Sequence, residues 1–185
     1  MCLFLRKRRI LYGGDESTLE RSDVREGFSC GEPSLDIFLE RYAWQDQTSH
    51  HLGVTYVAVD DRTRRAVGYF TLAAASMSSD AVGELIATGG FSEVPVVRIG
   101  RLAVDSRVQH MGVGSELLHA ALQICLEQAS RVGCVGVVVD ALADSIAFYE
   151  HFGFRRLTVV VGQTAVRPRL VPMFLSVAKI KKALG

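Results

Sequence analysis

The sequence predicts an α+β fold, in which a mixed, mostly antiparallel sheet carries helices on both faces and has a βαβ unit at its centre. The β-rich segments 54–60 and 66–77 are separated by the polar turn "DDRTRR", which predicts an antiparallel hairpin. Segments 96–105, 112–131 and 134–140 then follow as strand, amphipathic helix and apolar strand. This order is typical of a βαβ unit with a right-handed crossover.

A helix is predicted for residues 32–45, because apolar side chains recur there at helical spacing. These side chains are Leu35, Phe38, Leu39 and Tyr42. Ser34 is the expected N-cap of this helix, since a serine hydroxyl accepts hydrogen bonds from the first turn. Between the hairpin and the βαβ unit, the sequence predicts a loop that contains Gly89, Gly90 and Pro95.

The C-terminal part of the chain predicts one short helix and two further strands. Residues 144–152 form the helix, and Gly153 is placed to end it as a C-terminal cap. Residues 154–161 and 170–177 predict the strands. Together with the preceding elements they complete the sheet.

The chain of 185 residues has no internal repeat, low-complexity tract or Pro/Ser-rich linker, so one domain is expected. The predicted boundaries are a basic N-terminal extension with a first strand region at 1–25, the main domain at 26–177 and a basic C-terminal tail at 178–185. Charge is distributed unevenly within a net charge of +1. Residues 152–185 contain seven Lys/Arg and no acid, a pattern that favours a phosphate-binding patch, although ordinary solvated turns have the same pattern.

Composition excludes a membrane protein, because no apolar run approaches the roughly 18 to 20 residues needed to span a bilayer. The start, "MCLFLRKRRI", places apolar residues before basic ones, which is the reverse of a secretory signal. We therefore expect a cytoplasmic location. The four cysteines are scattered without a CxxC pair, which favours buried, reduced thiols over disulfides or a metal site. They are Cys2, Cys30, Cys125 and Cys134.

The segment "QHMGVGSELL" (109–118) places Gly112 and Gly114 at the start of a predicted helix. The first N–H groups of a helix lack intrahelical partners and lie at the positive end of its dipole, so this position favours an anion. Glycine lets a ligand approach the main chain closely, and a pyrophosphate suits such a loop. A nucleotide P-loop requires a lysine where Ser115 stands, and a dinucleotide fold requires a glycine where Leu117 stands. Both alternatives are excluded.

The remaining pattern, Gln-x-x-Gly-x-Gly between a strand and a helix, resembles the acyl-CoA pyrophosphate loop of the GNAT acetyltransferase superfamily. The preceding "RLAVD" and the downstream "AFYEHFGF" (147–154) resemble the strand and helix beside the family's cofactor. The resemblance implies a GNAT domain over residues 26–177, with acetyl-CoA as acetyl donor and no metal. It implies that backbone groups of Leu102 and Val104 meet the pantetheine amides. The full set of residues implied to hold the donor is Leu102, Ala103, Val104, Gln109, His110, Met111, Gly112, Val113, Gly114 and Ser115.

The resemblance assigns Tyr149 the role of general acid, which donates a proton or a hydrogen bond to the departing thiolate. Phe148 and Phe152 lie four residues apart and share a face of the short helix, whereas Tyr149 is rotated about 100° from Phe148. Tyr149 therefore need not point into the core. The alternative is a tyrosine that only packs on the sheet.

A general base does not stand out. The candidates are scattered, and turn, capping or solvated roles are at least as plausible for each: His110, His119, His151, Asp105, Asp140 and Asp144. An α-amine with a pKa of about 7.7–8.0 is appreciably neutral near pH 7, whereas a lysine with a pKa near about 10.4 is almost wholly protonated. An α-amine acceptor therefore suits a site without a base.

Several motifs in order narrow the resemblance: "FSCGEPSLDIFLERYAWQDQ" (28–47), "VGYFTLAAASM" (67–77), "GRLAVD" (100–105) and "VDA" (139–141). Together they resemble the GNAT toxins of bacterial toxin–antitoxin modules. That resemblance implies acetylation of the α-amine of aminoacyl-tRNA, a block of translation, a ribbon-helix-helix antitoxin as partner and a homodimer as one possible state. The alternatives are an acetyltransferase for a small amine or a protein N-terminus, and a non-catalytic acyl-CoA-binding regulator.

Overall fold

The computed structural model describes residues 18–60, 63–157 and 170–184. The described residues divide into two compact units. The first contains the chain through Ala73 and Arg101–Ala121, and the second contains Ala74–Gly100 and the chain from Leu122 onward. Most of the predicted basic N-terminal extension at 1–25 lies outside the described residues.

The described residues form six strands and five helical segments. The strands are β1 (Val54–Val59), β2 (Ala66–Ser78), β3 (Glu93–Val104), β4 (Gly136–Ala141), β5 (Arg155–Arg156) and β6 (Val171–Ser176). The helical segments are α1 (33–50), α2 (Ser79–Val82), α3 (Val113–Arg131), α4 (Ile146–His151) and α5 (Val177–Leu184). Single 3-10 turns occupy Ser106–Val108 and Ala143–Ser145. No helix within the described ranges is long and apolar enough to cross a membrane.

The strand order is β1-β2-β3-β4-β6-β5. Strand β1 pairs antiparallel with β2, β3 pairs parallel with β4, and β6 pairs antiparallel with both β4 and β5. The α+β class, the mixed and mostly antiparallel sheet, the hairpin and the central β3-α3-β4 unit are therefore confirmed. The predicted strand at 154–161 is described only as far as residue 157, and the structure assigns β5 to two of those residues.

Helix α1 departs from the sequence prediction at its start and along its length. The N-cap is Glu32, whose side chain accepts a hydrogen bond from the Ser34 backbone N–H, so the prediction that Ser34 caps this helix is wrong. Two π-helical stretches, Phe38–Tyr42 and Asp46–His50, interrupt the α-helical geometry. Each wider turn holds an additional residue and so shifts the later side chains around the helix axis. As a result Ala43 is buried, whereas Tyr42 is 51% exposed.

The core of the first unit is organised around the phenol of Tyr69. Its ring lies edge-on to Phe28 and stacks on Phe38, with centroids 5.7 and 6.1 Å away. The hydroxyl donates a hydrogen bond of 2.9 Å to the backbone carbonyl of Leu35 in α1. This bond satisfies a buried polar group and anchors α1 to strand β2.

The second unit has its own apolar cluster, built from Val82, Val94, Val96, Val138, Leu157 and Phe174. The helix α2 that contributes Val82 lies inside the segment predicted as a loop, and the side chain of Ser78 accepts a hydrogen bond from the Asp80 N–H at its start. Strand β3 also begins earlier than predicted and includes Pro95. One turn of helix is too short to produce a periodic pattern, so α2 could not be predicted from the sequence.

Candidate active site

The turn between β3 and α3 presents the start of a long helix to solvent. Gly112 has φ +86° and His110 has φ +60°, so two residues of this turn are left-handed. A Cβ added at Gly112 would meet no heavy atom within 4 Å, so the space in front of the turn is open. The Glu116 N–H is the first of α3 to find a backbone acceptor, on Gly112. Among the described residues, the three N–H groups before it have no backbone acceptor, which is typical of helix starts that bind anions.

A buried carboxylate fixes the shape of this turn. Asp105 is 1% exposed, and its two oxygens accept hydrogen bonds from Arg107 Nε at 2.7 Å and Arg107 Nη2 at 2.6 Å. The same carboxylate accepts from the backbone N–H groups of Arg107 and Ser29. These hydrogen bonds, those from Arg107 above all, lower the pKa of Asp105 below its usual range. Asp105 therefore stays ionised and holds the turn, which excludes it as a free general base.

Gln109 is one of the residues predicted to contact acetyl-CoA, but its side-chain amide nitrogen donates hydrogen bonds within the protein. Its Nε2 donates to the backbone carbonyl of Cys30 at 2.9 Å and to that of Val104 at 3.0 Å. The Gln109 side chain thus joins the end of β3 to the turn that follows it, and acts as a positioning residue. The sequence motif includes Gln109, but it could not show this positioning role, because both hydrogen-bond acceptors are backbone carbonyls.

The other predicted donor-binding residues separate into buried and exposed side chains. Ala103 and Val113 are buried, and Leu102, Val104 and Gly114 are partly buried. His110, Met111, Gly112 and Ser115 are exposed.

Close packing of α3 against β2 fixes where the helix begins, and it depends on a glycine that the sequence prediction missed. A Cβ at Gly68 would lie 2.8 Å from Leu117 Cδ1 and 3.3 Å from Val113 Cγ1. Because only glycine leaves this room, the first turns of α3 approach the strand closely. A glycine inside an apolar strand is the sequence signal that could have indicated this close contact.

Strand β3 continues beyond its register with β4. The parallel register joins Val97–Ile99 to Val137–Val139 and ends there, whereas β3 extends to Val104. In this register, no residue of β3 from Gly100 onward is paired with a residue of β4. Unpaired strand edges bind amide-containing chains by adding main-chain hydrogen bonds.

Tyr149 belongs to the second unit, in α4, and is 5% exposed. The sequence left the direction of this side chain open, and the structure buries it. Its ring packs edge-on to Phe148 and Phe154, with centroids 5.2 and 5.4 Å away. Burial raises the pKa of the phenol, so the hydroxyl is protonated at neutral pH. The hydroxyl has no hydrogen-bond partner within the described part of the chain, which is unusual for a buried polar group.

The end of α4 holds the tyrosine in place through a Schellman motif. Gly153, with φ +86°, donates its N–H to the Glu150 carbonyl at 2.9 Å, and the Phe154 N–H donates to the Tyr149 carbonyl at 3.1 Å. Phe154 is 1% exposed, so the motif also buries an apolar side chain. The predicted cap at Gly153 is confirmed.

The family model described as "Acetyltransferase (GNAT) family" matches residues 22–154. The chain belongs to the GNAT family. A tRNA-acetylating toxin of Mycobacterium tuberculosis is 40% identical over 145 residues, which cover 77% of this chain and 84% of the relative. The crystal structure of a KacT mutant is 26% identical, with TM-score 0.74 and coverage of 87% of this chain and 92% of that one. A mutant AtaT toxin bound to the C-terminus of the antitoxin AtaR and acetyl-CoA is 23% identical, with TM-score 0.71 and coverage of 90% and 95%, and shows likeness of fold.

Two observations fit the acetyl donor of a GNAT enzyme. In the first unit, the N–H groups of the first turn of α3 have no backbone acceptor among the described residues, and the space around the left-handed Gly112 is open, as a pyrophosphate would require. In the second unit, the buried hydroxyl of Tyr149 is a hydrogen-bond donor without an acceptor among the described residues. Asp140 forms an ion pair with Arg98, which leaves it, like Asp105, engaged within the protein.

Replacing Gly112 with valine tests the loop. We expect Gly112→Val to weaken acetyl-CoA binding at least about tenfold, because the branched side chain fills the space at the helix start and disfavours φ +86°. Isothermal titration calorimetry measures the effect. Gly133→Val is the matched control, since Gly133 has φ +85° and equally open surroundings but follows the other end of α3. Unchanged affinity in Gly112→Val, or an equal loss in both variants, would contradict the loop assignment.

Removal of the Asp105 carboxylate should unfold the turn. We expect Asp105→Ala to lower the free energy of unfolding by about 1–3 kcal/mol, because the turn loses the hydrogen bonds that this buried carboxylate accepts from Arg107 and Ser29. Since the folded-state pKa of Asp105 is lowered, its contribution is present above the unfolded pKa and is lost as pH falls through the folded value. Urea unfolding of both proteins between pH 7 and pH 3, run with Asp144→Ala as an exposed-carboxylate control, should show the difference shrinking only in acid. A difference that persists undiminished at the acidic end would refute the electrostatic account.

Proposed function

We propose that this protein transfers the acetyl group of acetyl-CoA to the α-amine of aminoacyl-tRNA and acts as a toxin that blocks translation. The observation that carries the proposal is the 40% identity, over 77% of the chain, to a tRNA-acetylating toxin. The GNAT family match supports the reaction type, and the acetyl-CoA bound to the AtaT neighbour supports the donor.

In this proposal the backbone of the first unit holds the donor. The free N–H groups of Val113, Gly114 and Ser115 bind the pyrophosphate, and the β3 edge at Leu102 and Val104 binds the pantetheine amides. Because these contacts use main-chain atoms, they place few demands on side-chain identity. Bound acetyl-CoA supplies an activated thioester carbonyl and a thiolate leaving group.

Tyr149 serves as the donor to the leaving sulfur. Attack by the amine forms the C–N bond, the C–S bond breaks, and the phenol offers its proton to the sulfur as negative charge develops there. The proton lost by the amine balances the one taken up by the thiolate, so the products are an amide and a thiol. Burial keeps Tyr149 protonated and strengthens its hydrogen bond in a site with little water.

The proposed acceptor removes the need for a strong base. The carboxylates of Asp105 and Asp140 each form an ion pair with an arginine, so neither is an unpaired base. An α-amine with a pKa of about 7.7–8.0 loses its proton readily near neutral pH, whereas a lysine side chain requires a base. This property favours aminoacyl-tRNA over a lysine-bearing protein.

A basic cavity in the second unit supplies a contact for RNA phosphates. It has a volume of about 660 Å³ and is lined by Leu85, Glu150, Gly153, Phe154, Arg155, Arg156 and Lys179. Arg156 pairs with Glu150 at 2.8 Å. Arg155 and Lys179 make no ion pair among the described residues and so remain available to phosphates. Glu150 follows Tyr149 directly, so RNA bound here would lie beside the helix that carries the proposed acid.

The partners follow from the same proposal. An antitoxin of the ribbon-helix-helix class would neutralise the enzyme, and the AtaT neighbour bound to the C-terminus of its antitoxin supports an antitoxin partner in general. The proposal also includes that the protein forms a homodimer and that it is located in the cytoplasm, where charged tRNA is available.

Mass spectrometry of the acetylated product tests the function and the tyrosine together. Incubation with acetyl-CoA and total charged tRNA should yield N-acetyl-aminoacyl adducts. Tyr149→Phe should lower the rate of their formation by about ten- to ten-thousandfold, the range that general acids contribute. Stability should change little, because the hydroxyl removed has no partner among the described residues.

Tyr69→Phe is the matched control for that experiment. It removes an equally buried hydroxyl that does have a partner, at a cost of about 1 kcal/mol in stability but without loss of turnover. Brisk acetylation of free amines or peptides with no tRNA adduct would assign the protein to the alternative enzyme class. If the protein binds acetyl-CoA but shows no turnover with any acceptor, it is a non-catalytic acyl-CoA-binding regulator. If Tyr149→Phe turns over at the normal rate, Tyr149 has only a packing role.

Neutralising the unpaired cations of the cavity should weaken tRNA binding. We expect Arg155→Gln combined with Lys179→Gln to lower affinity roughly tenfold or more at moderate salt and to flatten the salt dependence, because fewer counterions are released. Filter binding at several salt concentrations measures both quantities, and acetyl-CoA affinity should remain unchanged. Arg41→Gln combined with Arg131→Gln removes the same charge from exposed residues that do not line the cavity. Equal losses from the two pairs would show that net charge, rather than this cavity, governs binding.

A further inference from the structure

Two cysteines lie side by side where α3 returns to β4, in the second unit. The Sγ atoms of Cys125 and Cys134 are 3.6 Å apart. Cys125 is 0% exposed on α3, and Cys134 is partly buried in the turn that follows Gly133. A disulfide requires about 2.05 Å between the sulfurs, so a small movement of the turn would join them.

The pair is electronically asymmetric. The hydrogen bond between the two sulfurs, together with one from the Gly136 backbone, lowers the pKa of Cys134 to about 7, against the opposing effect of burial. The pKa of Cys125 is raised by the same hydrogen bond and by burial. The Cys134 Sγ also lies 3.8 Å from the Cys125 carbonyl oxygen, to which the thiol can donate. Cys134 is thus the cysteine of the pair that ionises more readily, and the Cys125 sulfur lies in contact with it.

We propose that Cys125 and Cys134 are a redox-active dithiol that a peroxide converts reversibly into an intramolecular disulfide. The Cys134 thiolate attacks one peroxide oxygen, the O–O bond breaks, and hydroxide leaves and takes up a proton as water. The Cys125 sulfur then attacks the sulfenic sulfur, the S–O bond breaks, the S–S bond forms, and a second water leaves with the Cys125 proton. Two thiols and one hydrogen peroxide give one disulfide and two waters, so the sulfurs lose two electrons and the peroxide gains them.

The surroundings of Cys125 and Cys134 suit oxidation by a peroxide better than the surroundings of Cys30 do. Val132, two residues before Cys134, is 78% exposed, so the turn is open to a small oxidant. Cys30 is partly buried, and burial together with its contacts to Asp36 raises the pKa of its thiol to about 11. Cys30 is therefore a thiol at neutral pH and has no neighbouring cysteine in the described chain. The disulfide would tie the C-terminal half of α3 to the entry of β4.

The experiment uses the full chain with Cys2→Ser and Cys30→Ser, so that the pair provides the only two thiols. Treatment with hydrogen peroxide at pH 7, followed by alkylation and intact mass spectrometry, should show a loss of about 2 Da and no alkylation. Peptide mapping should recover Cys125 linked to Cys134 in the monomer, and dithiothreitol should restore both thiols. In Cys125→Ala of the same background, the pH midpoint for alkylation of Cys134 should rise from about 7 toward about 8.5.

Other outcomes would overturn the proposal. Gain of about 16 or 32 Da on Cys134 without a link would show terminal oxidation of a single reactive cysteine. Disulfides between two molecules, or full alkylation after peroxide, would show that the pair does not close. If the serine background fails to fold, peptide mapping of the natural chain after peroxide gives the same discrimination, because linked peptides identify their cysteines.

Discussion

The buried carboxylate of Asp105 is the interaction on which the candidate site depends. It receives the side chain and the backbone N–H of Arg107 and the backbone N–H of Ser29, so one side chain joins the end of β3, the following turn and the segment before α1. The Ser106 N–H adds a backbone bond of 2.8 Å to the Ser29 carbonyl. These hydrogen bonds fix the turn without using the first N–H groups of α3, so those N–H groups stay available to a ligand. A helix start can bind an anion only when its N–H groups are not consumed by the protein.

The two proposed components of the site rely on different kinds of atoms. The proposed donor-binding surface uses backbone groups, and the side chains of Gln109 and Asp105 position the turn that carries them. Met111 is exposed and makes none of these bonds, whereas His110 has φ +60°, which favours residues that tolerate a left-handed backbone. The proposed acid, in contrast, is the single side-chain oxygen of Tyr149.

Sequence periodicity was sufficient for the larger elements. The hairpin, α3, β4 and the parallel crossover were predicted within a few residues, because each contains a long periodic pattern or a strong turn. The interruptions of α1 were not predictable, since π-helical stretches arise from packing and have no composition of their own. The burial of Tyr149 was missed for a related reason. On a helix of only six residues, the apolar face depends on what packs there and not on the spacing of two phenylalanines.

Comparison of two buried tyrosines shows why burial alone does not identify a candidate acid. Tyr69 is 0% exposed and Tyr149 is 5% exposed, and burial raises the pKa of both phenols. The hydroxyl of Tyr69 donates to the Leu35 carbonyl and so stabilises the fold. The hydroxyl of Tyr149 leaves its donor unused among the described residues, at a cost that folding does not recover. In the proposed reaction, the sulfur that becomes negatively charged during acetyl transfer would accept the hydrogen bond that the protein leaves unused at Tyr149.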